Sequence, residues 1–78
     1  HEGEHLFATE RMVVSPTAGV FTPAADLAPG FVLSPGTILG RVGEQEVRSP
    51  FAGILVGVLA VEGERVTTSQ PIAWLRSA

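Results

Sequence analysis

The hexapeptide Ser15-Pro16-Thr17-Ala18-Gly19-Val20 returns thirty-four positions later as Ser49-Pro50-Phe51-Ala52-Gly53-Ile54, and this recurrence constrains the fold more than any other feature. A second match follows it. Gly30-Phe31-Val32-Leu33 and Gly36-Thr37-Ile38-Leu39 align with Gly63-Glu64-Arg65-Val66 and Ser69-Gln70-Pro71-Ile72, and Val42 meets Leu75, at a displacement shorter by one residue. Agreement in order at Ser, Pro, Ala, two Gly and four aliphatic positions marks an internal duplication. Ankyrin-like and tetratricopeptide repeats have a similar period, but they are helical and need more than two copies.

Helix is close to excluded. Six prolines, and eight of the nine glycines, punctuate the chain beyond Arg11, so no window sustains the i, i+3, i+4, i+7 apolar spacing. Short runs rich in β-branched and aliphatic residues predict strands at Met12 to Ser15, Gly19 to Thr22, Thr37 to Val42, Glu46 to Ser49, Gly53 to Val61 and Pro71 to Arg76. Turn chemistry separates them. Neither half can bury its apolar face alone, which predicts two halves packed face to face. Gly19, Gly30, Gly53 and Gly63 are the expected structural turns, and a Cβ at Gly19 or at its equivalent Gly53 is expected to clash with a crossing strand. Residues 1–10, which hold both histidines, are read as a loosely attached tail before a single domain over 11–78.

Charge and composition narrow the function classes. Five Arg against eight acidic residues give a net charge of -3 with no basic cluster, which disfavours nucleic-acid phosphates and anionic membrane surfaces. No stretch approaches a membrane span, so direct membrane insertion is not expected. The absence of cysteine removes disulfides, thiolate catalysis and cysteine-ligated zinc, and it leaves the redox compartment open; the cytoplasm is the expected location. An opening His1 in place of Met is read as the mark of a removed upstream segment. Hydrophobic residues make up 45% and charged ones only 17%, so excess apolar surface is expected outside the core, with a protein partner or homo-oligomer covering it.

The run Ser-Pro-x-x-Gly, then Gly-x-x-x-x-x-Gly-x-x-Leu, a hairpin, and the same pattern again over Val13 to Leu75 resembles the biotinyl/lipoyl attachment domain, with Ser69 in place of one glycine. The resemblance implies an all-β barrel-sandwich hybrid, two four-stranded sheets related by a pseudo-two-fold. In that family a lysine at the tip of the central hairpin carries the cofactor as an amide. Here the tip reads Gly43-Glu44-Gln45-Glu46, and the chain has no lysine at all. Arg41 and Arg48 cannot substitute, because a guanidinium stays protonated and is a poor acyl acceptor. The hairpin is also shorter than a carrier's, so no covalent cofactor is expected. The segment Arg48 to Gly53 resembles, in addition, part of the lipoyl-like domain of periplasmic efflux adaptors, whose long helical hairpin is missing from this chain.

Other constellations are weaker. His1, Glu2, Glu4 and His5 could gather a divalent metal, but a solvated tail is the simpler reading and no metal site is expected. The carboxylate pairs Glu44/Glu46 and Glu62/Glu64, with Asp26, lack a nearby nucleophile or histidine, so no enzyme is expected. Phe31, Phe51 and Trp74 are the large side chains least securely assigned to the core and are the interface candidates. The expected function is a non-catalytic module for protein interaction or assembly, in a system that handles biotin or lipoate. The alternative is a structural lipoyl-like piece of an adaptor or membrane-associated complex.

Overall fold

A computed structural model describes residues 9–77, and within them the chain is all-β. Eight strands follow one another: β1 (Thr9–Val14), β2 (Gly19–Pro23), β3 (Val32–Leu33), β4 (Ile38–Val42), β5 (Gln45–Arg48), β6 (Gly53–Val58), β7 (Arg65–Val66) and β8 (Pro71–Ser77). They form two antiparallel four-stranded sheets. Sheet I has the order β1-β8-β6-β3 and sheet II the order β5-β4-β2-β7. Exchanging each strand for its counterpart in the other half, β1 for β5, β2 for β6, β3 for β7 and β4 for β8, turns one order into the other. The duplication in the sequence is therefore a pseudo-two-fold in the topology.

The halves are not the two layers. Each sheet takes two strands from each half, which corrects the expectation of two halves packed face to face. The reason lies in the pairing of the turns. Ser15 N–H donates to Gln70 O and Ser69 N–H to Ser15 O, while Ser49 N–H donates to Thr37 O and Gly36 N–H to Ser49 O, all at 2.7–2.8 Å. Phe21 and Leu55 repeat the relationship: each donates its N–H to a carbonyl of the other half, at Glu64 and Phe31, and accepts from Gly63 and Gly30. Every one of these bonds joins the halves, so neither half closes its ladders without the other.

The core follows the same symmetry. Val13 and Val47, Phe21 and Leu55, Leu33 and Val66, Leu39 and Ile72, and Val42 and Leu75 are all buried equivalent pairs. Ser15 and Ser49, each 1% exposed, are buried with their hydroxyls satisfied. Ser15 Oγ donates to Thr17 O at 2.6 Å and Ser49 Oγ to Phe51 O at 2.7 Å, so each serine folds the following residues into a tight turn.

Three details depart from the sequence reading. β1 begins at Thr9, ahead of the Arg11 at which the domain was expected to start; residues 1–8 lie outside the described residues. β3 and β7 are strands that the apolar runs did not indicate. Gly19 and Gly53 are equivalent in place but not in crowding. A Cβ on Gly53 would lie 2.6 Å from Arg76 O, whereas on Gly19 its nearest neighbours, Gly43 N and Val42 Cγ1, would be 3.2 Å away. Gly30 and Gly63 are turn residues with φ of +93° and +86°, a backbone region that glycine enters without steric cost.

Candidate interaction surface

Strand alternation sends one set of side chains of sheet I into the core and the other set outward. Leu33, Leu55, Leu75 and Val13 point in, and their neighbours Val32, Ile54, Trp74 and Met12 lie on the outer face. The cross-strand register connects that face. Val32 pairs with Ile54, Ile54 with Arg76, Arg76 with Glu10, and Trp74 with Met12 on one side and Gly57 on the other. Met12, Val14, Val32 and Ile54 are 44–69% exposed, and Trp74 is half-buried among them. Among the described residues the one ion pair on this face, Arg76 Nη2 to Glu10 Oε2 at 3.1 Å, is itself exposed and contributes little to stability.

The internal duplication provides a built-in comparison. The outer face of sheet II presents Glu46, Arg48, Arg41 and Arg65 at the positions equivalent to Met12, Val14, Trp74 and Val32. There Arg48 Nη2 donates to Glu46 Oε1 at 2.6 Å, and Arg48 Nη1 to Gly36 O at 3.0 Å. One backbone thus accepts charged, solvated residues at all four positions. The contrast holds at those four positions and not at the fifth, since Val20, the counterpart of Ile54, is exposed and apolar as Ile54 is.

Trp74 adds a polar feature to it. With Glu10, Arg11 and Met12 it lines a depression of about 250 Å³ beside β1, and its indole N–H is buried with no hydrogen-bond partner among the described residues. A donor left in that state costs about 1–3 kcal/mol. On the other side of Arg11 a second hollow, about 500 Å³, is lined by Arg11, Pro50, Phe51, Ala52, Gly53 and Ser77. The Arg11 guanidinium carbon stands 4.8 Å from the centre of the Phe51 ring, and Phe51 packs its other side on the core.

The structure therefore sets two of the three candidate aromatic residues, Phe51 and Trp74, on either side of Arg11. Phe31, 36% exposed, precedes β3 at the opposite edge of the same sheet. Met12 and Arg11 were missed by sequence reasoning. The available signal was the repeat itself: comparing each residue with its counterpart exposes Met12 against Glu46 and Arg11 against Gln45.

The central hairpin is a two-residue turn. Val42 pairs with Gln45, which leaves only Gly43 and Glu44 at the tip, with Gly43 at φ +60° and Arg41 Nη2 donating to Glu44 O at 3.1 Å. Gln45 and Glu46 belong to β5, not to an exposed tip. Of the other acidic residues, Glu64 accepts from Val61 N–H at 2.9 Å and from Gln70 Nε2 at 3.1 Å, which fixes the turn before β7. Among the described residues no group of His, Cys, Asp and Glu is arranged to hold a metal ion, and the tail cluster at His1 to His5 lies outside them. No described helix is long and apolar enough to cross a membrane. The chain matches no protein-family model and no curated protein.

Proposed function

We propose that this chain is a non-catalytic, cofactor-free module of biotinyl/lipoyl type that works by protein interaction, with the outer face of sheet I as its binding surface. The observation that carries this reading is the contrast between equivalent positions: Met12, Val14, Val32 and Trp74 on one face against Glu46, Arg48, Arg65 and Arg41 on the other. The partner is a second copy or a different protein, in a biotin- or lipoate-handling system on the strength of the resemblance.

Sedimentation and partner titration test the reading. Met12→Lys and Trp74→Ala are expected to weaken association by about 2 kcal/mol while changing thermal stability less, as residues central to an interface do. Equal association by the parent and both variants overturns it.

A further inference from the structure

Sheet I ends at β1, six residues long, and the described residues pair it only with β8. Thr9 to Met12 are exposed, and proline is absent from the strand. Such an edge offers a row of backbone donors and acceptors to an added strand. What distinguishes this edge is the pair of hollows that Arg11 separates. An extended segment laid along β1 sends alternate side chains to opposite faces, one set toward Met12 and Trp74, the other toward Arg11 and Phe51.

The second hollow carries the charge that selects its occupant. Arg11 rests over the Phe51 ring, a contact that limits its freedom, and it lines both hollows. The equivalent positions in the other half are Gln45 and Thr17, so the Arg–Phe pair is another departure that the fold does not require. We infer that the occupant is an extended acidic segment of a partner protein, which adds to β1 as a strand and sets an Asp or Glu carboxylate on Arg11 while its flanking apolar residues cover Met12 and Trp74. This deepens the proposed binding role and rests on it: the face gives the affinity, and Arg11 the preference for a carboxylate.

The probe is a fluorescent, end-capped peptide Thr-Val-Thr-Val-Glu-Val-Thr, compared by anisotropy with the same peptide carrying Gln for Glu. The Glu peptide is expected to bind about fivefold more tightly, a preference that Arg11→Gln abolishes, Arg11→Lys partly retains and Arg41→Gln leaves intact. Equal binding of the two peptides, lost in Met12→Lys, overturns the carboxylate assignment while the proposed face stands. Binding of neither peptide overturns strand addition, and the association experiment above then judges the face separately. A parent dimer that dissociates on Arg11→Gln and excludes the peptide overturns the inference in favour of a second copy.

Discussion

Gly53 lies so close to the carbonyl of Arg76 that a β-carbon on it would stand 2.6 Å from that oxygen and 2.7 Å from Leu75 Cδ1. One obstacle is backbone within β8 and the other is a side chain fully buried in the core, so neither yields cheaply. Gly53→Ala is therefore expected to cost about 2–3 kcal/mol, and Gly19→Ala, with its nearest contacts at 3.2 Å, about 1 kcal/mol. Urea melts of both variants measure the difference. Equal losses would show that the two positions, each the first residue of its strand, are mechanically identical.

Gly40 is the tightest glycine of the set, although it was not singled out from the sequence. A Cβ there meets Thr22 O, with Pro23 Cα 3.0 Å and Phe21 Cε1 3.1 Å away, so β2 and β4 cannot keep their spacing around it. Gly40→Ala is expected to destabilise by about 2–3 kcal/mol, at least as much as Gly53→Ala. Its counterpart Ala73 already carries a Cβ and is fully buried, so the requirement belongs to one half only.

Ser69 has φ of +70°, where its counterpart Gly36 has +94°. It is the one non-glycine residue in that region among the described residues, and a Cβ there costs roughly 1–2 kcal/mol. Ser69→Gly relieves the clash but adds freedom to the unfolded chain, which leaves an expected gain of about 0.5–1 kcal/mol. A thermal melt with an unchanged or lower midpoint would show that the neighbouring Thr67–Gln70 hydrogen bonds depend on the serine.

The hairpin predicts the outcome of attempted modification. With Gly43 and Glu44 alone at the turn and no lysine in the chain, incubation with a biotin or lipoate ligase and its substrates is expected to leave the intact mass unchanged. Glu44→Lys restores an amine without restoring the longer arm, and it too is expected to remain unmodified. A stable adduct on the parent between Val42 and Val47 overturns the cofactor-free reading; an adduct on the variant alone shows that only the lysine was missing.

The sequence by itself determined six of the eight strands and the duplication, because Gly, Pro and aliphatic residues act locally: they break helix, fix turns and alternate across a pleat. Ser15 and Ser49, Gly30 and Gly63, and the paired core residues Leu33/Val66, Leu39/Ile72 and Val42/Leu75 were legible for that reason. Val32–Leu33 and Arg65–Val66 were not legible as strands, since two residues show no alternation and become strands only through Ile54, Gly53, Gly19 and Val20 opposite them. The candidate surface was half legible. Phe51 and Trp74 stood out as aromatics without an assigned place, but Met12 and Arg11 read as ordinary residues at the start of a domain. Only the tertiary structure brought β1 beside β8, sixty-odd residues away, and so joined Met12 to Trp74 and Arg11 to Phe51. Pairing between distant strands is set by which ladders close and which faces are buried together, and that choice is made by the whole chain at once rather than by any segment of it.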